Sequence, residues 1–142
     1  MDALLTMIVL WLSANFGLPA PSTHAKIEIV PPSEIATKRY GAFHRVLPDA
    51  AGQIVAVYDS SRDTIMLPTG WTGSTPAELS VVVHEVVHHL QKAANLTYEC
   101  PAAREELAFA AQEKWLNLFG RSLASDFEID PFTLKVRTSC IH

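Results

Sequence analysis

The stretch that decides the reading of this chain is TPAELSVVVHEVVHHLQ, Thr75 to Gln91. Thr75-Pro76-Ala77-Glu78 has the form of a capping box with proline at the first helical position, so a helix is predicted from Pro76 to about Ala94. LSVVV makes its face apolar, yet three histidines and two glutamates share the same run. A buried charge without a partner costs several kcal/mol, so something must compensate these groups. His84 and His88 stand four residues apart, project from one helix face and can ligate a single ion. Glu85 completes an H-E-x-x-H pattern, in which two neutral imidazoles hold Zn²⁺ and the glutamate serves as general base toward water. The competing reading is a chance match, with histidines merely hydrogen-bonded in a core. An unbroken helix without Pro or Gly through the motif favours the metal site.

A catalytic zinc usually takes three protein ligands and leaves a fourth position for water. The third is sought in the next helix, PAAREELAFAAQEKWLNLF, which Pro101 opens and Gly120 closes. Projected at about 100° per residue, Leu107, Ala108, Phe109, Ala111, Trp115, Leu116, Leu118 and Phe119 fall in one broad arc that also contains Glu105. Glu106 falls outside it, with Glu113 and Asn117, where a solvated charge belongs. A carboxylate on the packed face needs a partner, and the metal offers one. Glu105 is therefore assigned as the third ligand and Glu106 as a surface acid.

HEVVH followed by Glu105, with sixteen residues between, resembles the gluzincin pattern, whose third ligand is a glutamate on the following helix. The chain is also similar to ImmA/IrrE-type small metallopeptidases, in which a glutamate shortly precedes a Phe-Ala pair, as Glu105 precedes Phe109-Ala110. TPAELSVVVHEVVHHLQ together with YECPAAREELAFAAQEKW resembles, more closely, a family of short, uncharacterised bacterial proteins carrying HExxHH. The resemblance implies a compact α+β zincin-like domain: a small antiparallel sheet packed on the HExxH helix and on a following helix that carries the glutamate. It implies His84, His88 and Glu105 as metal ligands, Glu85 as base, and a peptide or protein substrate. The departure is size, because no second lobe is evident to form a deep cleft.

Outward from the motif, KIEIVPP alternates and reads as a short strand ended by Pro31-Pro32, and SEIATKRYG reads as a brief helix closed by Gly41. QIVAVYD and TIMLP are read as the strands of a hairpin around SSRD. TIMLP can either border the cleft and pair with an extended peptide or be buried on both faces. The tail RSLASDFEIDPFTLKVRTSCIH shows no sustained period and is expected to wrap the surface. With 142 residues and no linker or repeat, the chain reads as one domain, 1–142. A net charge of −4 without a Lys/Arg cluster argues against nucleic acid as a partner.

MDALLTMIVLWLSANFGLPAPSTHA, residues 1–25, imitates a signal peptide, but its first Lys or Arg is Lys26, and Asp2, Gly17 and Pro19 punctuate it like a packed helix. A core helix is the reading adopted, with a signal or membrane-associated segment as the alternative. The apolar run Ala3 to Leu12 falls short of the roughly 20 residues a spanning helix needs, so no firm membrane association is expected. With the run read as a core helix a cytoplasmic location is favoured, and a periplasmic or secreted one if the run is a signal. Cys100 and Cys140 are either free thiols or a bridge that would contribute roughly 3–4 kcal/mol in an oxidising compartment.

Tyr98, in the turn between the two helices, is a candidate to donate its hydroxyl to a developing oxyanion, against the commoner half-buried structural role. His89, rotated about 100° from His88, cannot share its metal face and is read as a support for the site or a packed histidine. Arg104 pairs either with a carboxylate of site or substrate or with a surface acid. Three functions compete: a zinc-dependent peptide hydrolase, a non-catalytic metal-binding or interaction domain on the same scaffold, and a membrane-anchored accessory protein that rests only on the N-terminal run. A structural zinc is normally closed by four protein ligands, and three favour the hydrolase.

Overall fold

A computed structural model describes residues 1–40 and 55–140. Its elements are α1 (Asp2–Phe16), β1 (Lys26–Val30), α2 (Pro32–Tyr40), β2 (Val57–Asp59), β3 (Thr64–Pro68), α3 (Pro76–Ala93), α4 (Pro101–Asn117), α5 (Leu123–Phe127) and α6 (Pro131–Thr138). The class is α+β, as expected. The sheet is not wholly antiparallel, however. Its order is β1-β3-β2, with β1 parallel to β3 and β2 antiparallel to it. The hairpin between β2 and β3 allows antiparallel pairing, whereas the return from β1 carries α2 in a crossover, the connection that parallel neighbours require. Gly41, expected to close α2, and the first residues of QIVAVYD lie outside the described residues.

β3 is the central strand, and Thr64 to Leu67 are buried on both faces. Met66 packs with Val30 and Ile35 of α2 on one side, while Ile65 and Leu67 join the main core on the other. With both of its edges paired, β3 cannot add a peptide strand, so TIMLP is a core strand. Asp63, at the end of the turn, takes a left-handed φ of 50° that aspartate tolerates better than most residues.

The main core lies between the sheet, α1, α3 and α4. In α1, Leu5, Ile8, Val9 and Leu12 recur at helical spacing and are buried, each worth about 1.5–3 kcal/mol relative to exposure. Gly17 ends the helix at φ 68°, its N–H reaching Ser13 O. Trp11 of α1 meets Trp115 of α4 edge-on, with ring centroids 5.3 Å apart. Among the described residues, no helix is long and apolar enough to cross a membrane.

α3 begins where its cap requires, with Thr75 Oγ1 accepting from Glu78 N at 3.1 Å. The Glu78 carboxylate departs from the simple box and accepts from Thr72 N at 2.8 Å. α4 stops at Asn117, short of the predicted end, so Leu118 and Phe119 are exposed and do not belong to the packed arc. The tail is more ordered than its sequence suggested. Ser122 caps α5 and Asp130 caps α6, with Pro131 in its first turn, and Leu123, Phe127 and Ile129 are buried. Elements this short leave little room for a visible period, although Asp130-Pro131 is a start signal. Cys100 and Cys140 form a disulfide, tying the start of α4 to the residues after α6.

Candidate functional site

α3 and α4 form the largest helix contact of the fold, and the site lies along it. The Nε2 atom of His84 is 2.7 Å from Glu105 Oε2, and that of His88 is 3.1 Å from the same oxygen. Ligand atoms of His84, His88 and Glu105 all lie within 4.8 Å of one another, a group that could hold a metal ion. Glu106 is exposed, in keeping with the phase assigned to α4. Phe109 lies edge-on to the His84 ring at 4.6 Å and restricts it from the α4 side.

The other ring nitrogens reveal which tautomers the protein imposes. His84 Nδ1 lies 2.9 Å from Gln112 Oε1, and Gln112 Nε2 donates to Ser80 Oγ at 3.1 Å. Ser80 spends its single hydroxyl proton on Ala77 O, so it can only accept from Gln112. The amide is thereby oriented with its oxygen toward His84, and Nδ1 must carry the hydrogen. The same logic governs His88. Its Nδ1 lies 2.8 Å from Gln91 Oε1, and Gln91 Nε2 donates to the carbonyl oxygen of Arg104 at 3.1 Å. A flipped amide would set two oxygens against each other. In their neutral forms, both imidazoles therefore present Nε2 lone pairs to the Glu105 carboxylate.

Lone pairs facing a carboxylate oxygen at these distances need a proton or a cation between them. With protons as the balance, burial opposes a charged His88, but its bond to Glu105 and the negative charges of Glu85 and Glu105 outweigh this and raise its pKa. Burial likewise works against an ionised Glu105, and hydrogen bonds from His84 and His88 hold its carboxyl well below the usual range. A cation meets the same requirement, and the donor set suits one. Bonds of about 2.0–2.1 Å in a tetrahedral shell separate ligand atoms by roughly 3.3 Å. Glu105, whose side chain is 29% exposed, would have to draw back by about half an ångström from its present contacts.

Beside the cluster opens a cavity of about 630 Å³ whose lining includes Glu85, His88, Glu105, Tyr58 and Arg104. Glu85 is buried on α3 and faces this space together with two of the ligand residues. Tyr98 lies between α3 and α4 as expected and is not among the described residues that line this cavity. Its hydroxyl accepts from Gln91 Nε2 at 3.0 Å, which makes it a brace for the amide that orients His88.

His89 points into a separate network. Its Nδ1 is 2.7 Å from Asp63 Oδ1 and its Nε2 is 3.1 Å from Thr23 O, tying α3 to the β-hairpin and to the segment before β1. Tyr58 donates to the same Asp63 oxygen. Burial, then the bond and charge of Asp63, push the Tyr58 hydroxyl above its ordinary pKa. Sequence reasoning passed over Gln91, Gln112, Ser80 and Tyr58. The available signal was polarity on a packed face: Gln112 lies seven residues after Glu105 and Gln91 three after His88.

The whole chain, residues 1–142, matches the model of a family described as a domain of unknown function, DUF6647, and belongs to that family. Among curated proteins and among solved structures, nothing matches it.

Proposed function

We propose that this protein is a zinc-dependent metallopeptidase that hydrolyses peptide bonds, on a zincin-like arrangement of the gluzincin type. The observation that carries the reading is the pair of amide-oriented imidazoles, whose Nε2 atoms converge with Glu105 at a cavity that Glu85 also lines. His84, His88 and Glu105 would hold the ion, which when bound supplies a Lewis acid for the scissile carbonyl and acidifies water. Three protein donors leave a coordination position for substrate or water.

Glu85 takes the proton from the attacking water and returns it to the departing amine. Its neighbours in sequence are the reason it can do so: position 85 shares α3 with His84 and His88, so the base and the two histidine ligands move as one rigid element. Gln112 and Gln91 keep the ring protons away from the ion, and Ser80 and Tyr98 hold those amides in turn. β2 contributes Val57 and Tyr58 to the cavity wall, which makes it, and not the central β3, the strand beside which an extended substrate would lie. The Cys100–Cys140 bridge supports an oxidising compartment, periplasmic or extracellular, over the cytoplasmic location favoured from the N-terminal run.

The deciding experiment uses Glu85→Gln, which keeps size and helix while removing the proton acceptor. Cleavage of a peptide library and zinc content are measured on both proteins. The expected result is about one zinc per chain in each, with kcat of the variant lower by roughly 10²-fold or more. A wild-type protein that binds zinc and cleaves no peptide would support the non-catalytic metal-binding alternative and reject the hydrolase.

A further inference from the structure

The cavity beside the ligand cluster has a charge pattern that the proposed chemistry does not use. Among the described residues its lining carries three cations, Lys38, Lys92 and Arg104, against two acids, Glu85 and Glu105, which are both assigned to the site. Lys38 is offset by Asp59, 3.3 Å away. Among the described residues, no carboxylate offsets Lys92 or Arg104 in this way. Lys92 Nζ donates to the backbone oxygen of Ser60, a neutral acceptor. Arg104 is exposed, and among the described residues no carboxylate pairs with its guanidinium.

Their positions relative to the ligands are set by the helices. His84, His88 and Lys92 follow one another at intervals of four on α3, so Lys92 lies on the ligand stripe, about 6 Å of helix rise past His88. Arg104 immediately precedes Glu105 on α4, and its backbone oxygen is clamped by Gln91 Nε2 at 3.1 Å. The backbone that anchors the side chain is therefore held in place, while the guanidinium has no ion-pair partner among the described residues. One cation from each of the two ligand-bearing helices thus borders the same space.

We infer that Lys92 and Arg104 form a carboxylate subsite next to the candidate metal centre, so the substrate carries an anionic group close to the bond being cleaved. This rests on the hydrolase reading for its location but concerns binding. Arg104 suits a planar carboxylate through paired N–H donors, and Lys92 adds a point charge. The carboxylate is either the free C-terminus of a peptide or an aspartate or glutamate side chain.

The test is equilibrium binding of three fluorescent peptides to zinc-loaded protein carrying Glu85→Gln, which prevents turnover. One peptide ends in a free carboxylate and is otherwise neutral; one is amidated and carries an internal glutamate; one is amidated and neutral. At least one anionic peptide should bind tenfold or more tighter than the neutral one, with the margin shrinking as salt rises. Preference for the first identifies a terminal carboxylate, and preference for the second an acidic side chain. Adding Arg104→Gln or Lys92→Gln should each cut the margin several-fold, and Arg104→Glu should reverse it. Both positions are exposed, and a melting curve on each variant confirms folding. Equal affinity for all three peptides, or no binding of any, overturns the inference. So does a margin that survives the paired substitution, because the carboxylate is then held by the ion or elsewhere. Tight binding of an anionic peptide that depends on Arg104 and Lys92, together with a Glu85-containing protein that cleaves no peptide of the library, would reject the hydrolase reading and leave the subsite standing.

Discussion

Gln112 is the residue on which the proposed metal site can be tested most sharply, because it touches no substrate and belongs to no motif. It is 4% exposed, accepts from His84 Nδ1 at 2.9 Å and donates to Ser80 Oγ at 3.1 Å. Gln112→Leu keeps the volume and removes both bonds. His84 then loses the acceptor that holds its proton on Nδ1, so the tautomer with a protonated, non-ligating Nε2 becomes accessible. Partners of this kind are worth about 10–100-fold in metal affinity, or about 1.4–2.8 kcal/mol. Zinc dissociation measured against a chromogenic chelator near neutral pH should weaken by that amount. The metal-free variant should also lose about 1–3 kcal/mol of stability in urea, because a buried N–H is left without a partner. Gln112→Glu offers His84 a stronger acceptor and, once Ser80 turns its hydroxyl from Ala77 O to the new carboxylate, should hold zinc at least as well as the wild type. Wild-type affinity in Gln112→Leu would refute the orienting role. An equal loss in both variants would show that packing, not tautomer selection, was at stake.

Three further outcomes follow from the geometry. Glu105→Ala should abolish stoichiometric zinc while Glu106→Ala, at an exposed position, retains it, and elemental analysis of the two proteins reads the difference. Replacing Cys100 and Cys140 by serine releases a loop of sequence separation 40, for which chain entropy gives about 4 kcal/mol, so the urea midpoint should fall sharply; an unchanged midpoint would mean the bridge does not constrain the unfolded chain. Asp59 is hydrogen-bonded by Ser61 and Arg62, and these bonds, with help from Lys38, outweigh burial and hold its carboxyl well below the ordinary value. A depressed folded pKa stabilises fully above the unfolded value of about 4 and is lost as pH falls below it. The stability gap between wild type and Asp59→Asn should therefore close as acid unfolding is followed downward from pH 5, and a constant gap would contradict this.

Much of the site was legible without coordinates because it is written in helical period. His84 and His88 share a face through a spacing of four, and Glu105 was separated from Glu106 by phase alone, since both relations are local consequences of 3.6 residues per turn. The caps at Thr75 and Pro101, and the apolar stripe of α1, are local in the same sense. What the sequence left open depends on contacts between distant residues. Whether β1 runs parallel to β3 is decided by how the crossover through α2 packs, and whether Cys100 finds Cys140 depends on α6 returning to α4. The exposure of Leu118 and Phe119 was hidden because a helical projection continues past the residue where the helix ends. The roles of Gln91 and Gln112 were hidden for a deeper reason. An amide has no preferred chemistry until its partners are known, and here Ser80, Tyr98 and the carbonyl of Arg104 choose which end faces each histidine. The sequence by itself determined which side chains can meet a metal ion on two helices. Only the tertiary structure decided which nitrogen of each ring is turned toward it, because hydrogen-bond direction is settled by neighbours that no local period brings together.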